Sequence, residues 1–169
     1  MPIIVFDTET TGLSPQSGHR IIEIGAVKLS GGEIIDEFHT LIDAGVPIDP
    51  RAQAVHGISR AMLRGQPPAQ EVLPRFRDFI DQSQLVAHNA PFDSQFLRAD
   101  FARLGFGLPN IIACTLKLSR TKLALPNYRL DTVYRALGGM LDQTIKRHRA
   151  LDDARMAAFV WMQLNGDGP

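Results

Sequence analysis

Two acids separated by a single residue, Asp7 and Glu9, stand in the stretch Phe6-Asp7-Thr8-Glu9-Thr10-Thr11-Gly12. On an extended backbone successive side chains alternate, so both carboxylates project to the same side. Such neighbours repel, and one of them tends to stay protonated unless a divalent cation lies between them and holds both ionised. Hard oxygen donors of this kind suit magnesium or manganese. Taken alone, an acid pair at this spacing is more often a solvated turn, so the pair gains weight only from acids elsewhere in the chain.

Two further groups supply them. In His88-Asn89-Ala90-Pro91-Phe92-Asp93 a strand gives way to a helix with an early proline, and Asp93 falls in its first turn. An aspartate there also complements the helix dipole, and Phe92 equally suits a core. The third group, His148-Arg149-Ala150-Leu151-Asp152-Asp153, opens the last helix. At about 100° per residue the apolar set Ala150, Leu151, Ala154, Ala157, Ala158, Trp161 and Leu164 centres roughly 90° from Asp153 but about 180° from Asp152. Asp152 is therefore expected in water and Asp153 at the edge of the buried face. His148 precedes the regular helix, where an imidazole can exchange protons near neutral pH; an ordinary surface histidine is the alternative.

The elements that must position these groups follow from periodicity and turn chemistry. Ile3 to Phe6 is a short buried strand, expected to end at Asp7. Arg20 to Ser30 and Glu33 to Ile42 flank Gly31-Gly32, a pair that tolerates positive φ and favours a tight hairpin. The chain thus opens as a three-strand antiparallel meander. Asp49-Pro50 and Ser59 read as starts of short helices, and the apolar spacing over Pro68 to Asp81 is helical. A strand at Leu85 to Ala87, a helix from Pro91 to Leu104 and a strand at Ile111 to Cys114 come next, and helices near 115–122, 130–137 and 149–164 complete the pattern. The expected class is α/β: one domain over 1–169, in which the meander continues into parallel strands to make a central mixed five-stranded sheet flanked by helices.

Composition limits the function classes. Of 169 residues 44% are apolar and 21% charged, the profile of a globular domain. The longest apolar runs fall far short of the roughly 20 residues a membrane span requires, so no membrane partner is expected. Met1 leads directly into an apolar strand and acids, with no basic leader, and Cys114 is the sole cysteine, which suits a reducing cytoplasm or a buried apolar position. Net charge is zero, yet residues 1–57 hold eight acids against three bases and residues 117–149 eight bases against two acids. An acidic metal pocket beside a basic strand-guiding rim has this form, and so do solvated helix faces.

Taken together, Asp7 and Glu9, Asp93, and His148 with Asp153 resemble the DEDD exonucleases, specifically the histidine-containing branch. The likeness to the proofreading exonuclease domain of the bacterial DNA polymerase III epsilon subunit runs through Phe6 to Gly12, Ile21-Ile22-Glu23-Ile24-Gly25-Ala26, Val55-His56-Gly57-Ile58, His88 to Asp93, Cys114-Thr115-Leu116, Tyr128-Arg129-Leu130-Asp131-Thr132 and His148 to Asp153. The resemblance implies a ribonuclease H-like fold and 3′→5′ hydrolysis of the terminal phosphodiester with release of nucleoside 5′-monophosphates. It also implies two divalent cations, Mg2+ or Mn2+, held by Asp7, Glu9, Asp93 and Asp153, with His148 as general base. The backbone at Thr10 and the side chains of Leu13, Val55, His56 and Phe92 would hold the terminal nucleotide. For His56 a helix-end role and for Leu13 a core position are the alternatives. His88 and Asn89 match positions that support the pocket, and Glu23 lines the cleft without a metal role. The implied partner is single-stranded nucleic acid, with DNA favoured over RNA, in proofreading or repair. RNA 3′-end trimming is the rival within the family, and a non-catalytic nucleic-acid binding module the rival from another class. With Pro169 just past the last helix, no C-terminal extension is in view, which argues against attachment to a polymerase or clamp.

Overall fold

The computed structural model describes residues 2–141, 145 and 148–166. Strands β1 (Ile3–Thr10), β2 (Ile21–Ser30) and β3 (Glu33–Leu41) form the expected meander, and β4 (Gln84–Ala87) and β5 (Ile112–Cys114) extend it in parallel, giving the order β3-β2-β1-β4-β5. Both residues of the Gly31-Gly32 hairpin have positive φ, 60° and 79°, as the tight turn requires. Helices α1 (Pro50–His56), α2 (Arg60–Leu63), α3 (Ala69–Ile80), α4 (Ala90–Arg103), α5 (Thr115–Lys122), α6 (Leu130–Ala136) and α7 (Ala150–Asn165) follow the expected order. The Asp49 side chain accepts from Arg51 N and Ser59 Oγ from Met62 N, the caps read from sequence. Among the described residues no helix is long and apolar enough to cross a membrane.

One boundary differs from expectation. β1 does not end at Asp7 but runs on to Thr10, because β2 is long enough to keep pairing with it: Asp7 lies opposite Gly25 and Glu9 opposite Glu23. The two acids are therefore fixed by a ladder of backbone hydrogen bonds instead of projecting from a turn. On its other edge β1 pairs with β4 only as far as Val5, so the β4-side edge beyond that residue is open.

Alternation along β1 then decides what each acid faces. Ile4 and Phe6 pack with Val72, Leu73 and Phe76 of α3 and Phe96, Leu97 and Phe101 of α4. Ile3 and Val5 pack on the opposite face with Ala157, Ala158 and Trp161 of α7. With a period of two, Thr8 falls on the α4 side, and Asp7 and Glu9 fall on the α7 side. Helix α7 can lie close because its buried face is mostly small, with Ala150, Ala154, Ala157 and Ala158 all buried. At Gly25, directly opposite Asp7, a Cβ would sit 2.1 Å from Leu151 N and 2.2 Å from the Ala150 carbonyl carbon. The start of α7 thus rests on bare backbone.

Gly25→Ala should force that helix start off the sheet. A backbone neighbour cannot rotate aside, so a loss of about 5–10 °C in Tm is expected, measured against Gly107→Ala, whose Cβ would meet nothing within 4 Å. Equal melting of the two variants would contradict the seating of α7 on Gly25.

Candidate active site

Three elements converge where β1 leaves the sheet. Asp93, on the first turn of α4, is 3% exposed, and its Oδ1 accepts from both Thr8 N at 3.0 Å and Thr8 Oγ1 at 2.8 Å. This carboxylate occupies the open edge that β4 leaves beyond Val5 and satisfies a strand amide that has no strand partner there. It arrives because Asn89 takes the left-handed conformation, φ 68° and ψ 44°, turning the chain at once from β4 into α4; asparagine tolerates that region better than most side chains.

On the opposite face, α7 brings Asp153 and the residue before its cap brings His148. One donor atom each from Glu9, His148 and Asp153 lie within 4.8 Å of one another. His148 N donates to Asp153 Oδ2 at 3.0 Å, and His148 itself is left-handed with φ 58°, exposed on the turn preceding the helix. Asp152 takes a different course: it pairs with Arg155, which also reaches Glu37 on β3. The structure thus gathers Asp7, Glu9, Asp93, His148 and Asp153 at one end of β1 and turns Asp152 away.

What holds α7 there was not evident from the sequence. Glu23, fully buried on β2, accepts from Arg149 Nε at 3.1 and 3.2 Å, from Arg149 Nη2 at 2.8 Å and from Ala150 N at 3.2 Å, and His39 Nε2 lies 2.7 Å from its Oε1. A carboxylate on the first amide of α7 also meets the positive end of the helix dipole. Burial pushes the Glu23 carboxyl up, but hydrogen bonds from His39, Arg149 and Ala150 outweigh it, so the net displacement is downward and Glu23 is a fixed anion. The only sequence signal was an acid inside an otherwise apolar strand, and its partner Arg149 stands 126 residues away.

The gathered acids are electrostatically frustrated. Burial pushes Glu9 up to about 8, reinforced by the Asp153, Glu23 and Asp93 carboxylates and opposed by Arg149. Asp93 rises to about 7, again by burial first, with the Thr8 hydrogen bonds pulling the other way. Asp7 is raised well above its usual range by burial and then by Asp93, Glu9, Asp153 and Glu23. Oxygen donors that repel one another in a cleft with one imidazole beside them are the donor set of a hard divalent cation. Asp7, Glu9, Asp93 and Asp153 could hold such ions, and His148 stands on the solvent side with its ring within reach.

The residues expected around the terminal nucleotide differ in exposure. Leu13 is 79% and Val55 57% exposed, so Leu13 is not a core leucine. His56 is a buried helix-end residue: its Nε2 donates to Thr10 O at 3.2 Å and its Nδ1 accepts from Ile58 N at 3.0 Å, and burial holds it neutral by lowering its pKa. Thr10 is buried and donates to Gly12 O, and half-buried Phe92 packs on Phe96 at 5.2 Å. His88 lies 2.9 Å from both Thr115 Oγ1 and Tyr128 O, a structural tie between β4, α5 and the loop before α6. Of the basic segment, Lys146, Arg147 and the acid Asp142 lie outside the described residues, as do residues 167–169.

A family profile described as Exonuclease (RNase_T) matches residues 4–160, nearly the whole chain. The chain belongs to the exonuclease family. This exonuclease is 44% identical over 161 residues, 95% of its length, to the DNA polymerase III PolC-type of Thermotoga maritima. It is 38% identical over 97% of its length to the DNA polymerase III subunit epsilon-like protein of Rhodobacter capsulatus. It spans 12% and 24% of those two relatives. Among solved structures, Exonuclease X in complex with 5′ overhanging duplex DNA superposes with a TM-score of 0.79 at 29% identity, covering 97% of this chain and 91% of that one. The expectations of an exonuclease related to the DNA polymerase III epsilon subunit and of a ribonuclease H-like mixed five-stranded sheet are met, and the divalent ions that the family implies suit the donor set present.

Two outcomes follow for the exonuclease. Without divalent ions, carboxyls whose folded pKa is raised stabilise the protein fully below their unfolded values, near 4.5 for Glu9 and 3.8 for Asp93, and this contribution is lost as pH rises towards about 8 and about 7. Melting measured with and without Mn2+ should therefore show a larger gain from the ion at about pH 8 than at about pH 5; a gain independent of pH would contradict the carboxylate cluster as the binding place. Glu23→Gln leaves Arg149 without its counter-charge and should cost on the order of 3 kcal/mol, read by denaturant unfolding, and an unchanged midpoint would show that the clamp carries no stability.

Proposed function

We propose that this chain is a two-metal 3′→5′ exonuclease that removes nucleotides one at a time from single-stranded or frayed DNA ends, as in proofreading or repair, releasing nucleoside 5′-monophosphates. The observation that carries the reading is the meeting of Glu9, His148 and Asp153 donor atoms within 4.8 Å beside the half-buried Asp7 and buried Asp93 carboxylates. In the bound state Mg2+ or Mn2+ supplies activation of the attacking water and neutralisation of charge at the scissile phosphate.

The residues of the chain do the rest. Asp7 and Glu9, aligned by the ladder to β2, and Asp153, oriented by His148 N, present oxygens from two sides of the cleft. Asp93 has one oxygen already engaged by Thr8, which leaves its second oxygen for the cation site, directly or through water. The His148 imidazole accepts the proton of the attacking water; its exposed turn lets it reach water and pass the proton on to solvent. Exposed Leu13 and Val55 and half-buried Phe92 offer apolar faces for an unstacked terminal base, while His56 fixes the backbone at Thr10. Such contacts are indifferent to base identity, as an enzyme acting on any terminus needs.

DNA is favoured over RNA by the names of the two relatives, both DNA polymerase III proteins, and by the DNA in the Exonuclease X complex. The test is mononucleotide release from end-labelled DNA and RNA oligomers with Mn2+. The parent should shorten DNA from its 3′ end, Asp7→Ala should fall to background, and His148→Ala should lose about a hundredfold or more in kcat while retaining Mn2+ affinity by calorimetry. Equal product from parent and both variants would overturn the assignment, and loss of metal affinity in His148→Ala would overturn its role as base.

A further inference from the structure

Beside the carboxylates the surface opens into two adjoining hollows that share one residue. The first, about 290 Å³, is lined by Arg129, Leu130, Asp131, His148, Asp153 and Met156. The second, about 330 Å³, is lined by His88, Asn89, Leu116, Arg120, Tyr128 and Arg129. Arg129 lines both, with His148 and Asp153 in the first hollow and Arg120 in the second.

Several arginines around the sheet are already committed to acids. Arg20 and Arg103 are bound to Asp100, Arg149 to Glu23 and Arg155 to Glu37. Arg120 and Arg129 are exposed, and among the described residues neither is held in an ion pair. The loop that carries Arg129 is nonetheless firmly placed. His88 Nε2 meets Tyr128 O at 2.9 Å, the Tyr128 hydroxyl donates to Leu123 O at 2.8 Å, and Asn127 Oδ1 accepts from Arg129 N at 3.2 Å and Thr132 Oγ1 at 2.8 Å. Arg120 lies 5.8 Å over the Tyr128 ring, which sets it along the same wall. Two cations on an anchored wall, in line with the acid cluster, suit a ligand with regularly repeated negative charge. An isolated anion would be repelled by Asp131 and Asp153 in the first hollow, whereas a phosphodiester strand can cross it with its phosphates held by arginine at the far side.

We infer that Arg129 and Arg120 form a phosphate track for the strand on the 5′ side of the scissile bond, Arg129 taking the first upstream phosphate and Arg120 the next. The inference rests on the site being a 3′→5′ exonuclease centre, and it adds a length requirement: affinity should grow as the substrate reaches each arginine in turn.

The experiment uses the full chain and two readouts. Equilibrium binding of a fluorescent oligothymidylate octamer is measured in Ca2+ over a range of salt, and KM is measured in Mn2+ for the unlabelled octamer and for a dinucleoside monophosphate, whose one phosphate is the scissile one. Arg129→Ala and Arg120→Ala should each reduce the steepness of log K against log salt by about 0.7, and the double variant by about 1.4. KM should rise more on the octamer than on the dinucleoside monophosphate, and Arg129→Lys should keep the parental salt slope. Arg75→Ala, exposed on α3, serves as the comparison and should match the parent. An unchanged salt slope in the double variant, or the same fold-loss on both substrate lengths, would overturn the track. Reduced slopes in the variants of a parent that releases no nucleotide would uphold the track and overturn the exonuclease reading instead.

Discussion

Carboxylates that repel one another stand together at the end of β1, and the apolar packing on both faces of that strand is what confines them. Ile4 and Phe6 lock one face against α3 and α4, and Val5 locks the other against α7. Each such fully buried side chain stabilises by roughly 1.5–3 kcal/mol, enough in sum to tolerate raised carboxyls at the strand's exit. Because side chains alternate, the same register that buries Val5 commits Asp7 and Glu9 to the α7 face. The site is therefore a consequence of core packing one step along a strand, and its unrelieved repulsion is what a divalent cation held there would relieve.

Orientation comes from hydrogen bonds that are indifferent to the metal. Thr8 holds Asp93 by two bonds, His148 N holds Asp153, and Glu23 holds the first amide of α7 together with Arg149. Glu23 and Gly25 sit two residues apart on β2, facing the start of α7: one attracts the helix end and the other leaves room for it. The left-handed residue Asn89 lies immediately before α4, and left-handed His148 lies one residue before the Arg149 cap of α7. They place functional groups on the first turn of each helix or just ahead of it, where dipole and exposed amides favour negative charge.

Much of this was legible in the sequence because it is local. Gly31-Gly32 announces its hairpin, Asp49 and Ser59 announce their caps, and helical phase separates Asp152 from Asp153, which the structure turns in different directions. The end of β1 was misplaced because a Thr/Gly/Ser/Pro cluster resembles a strand boundary, whereas pairing with β2 through Glu9 is a nonlocal fact. The Glu23 clamp and the seat at Gly25 were invisible for the same reason: each joins β2 to a helix more than a hundred residues later. At His56 the motif position was legible, but the backbone partners of both ring nitrogens, Thr10 O and Ile58 N, were not.

Crystals grown with Mn2+ and measured at a wavelength where manganese scatters anomalously would test the central claim most directly. The account predicts anomalous peaks in the cleft bounded by Asp7, Glu9, Asp93 and Asp153, with His148 facing them. Manganese bound only elsewhere, or no peak among these four carboxylates at saturating ion, would contradict it.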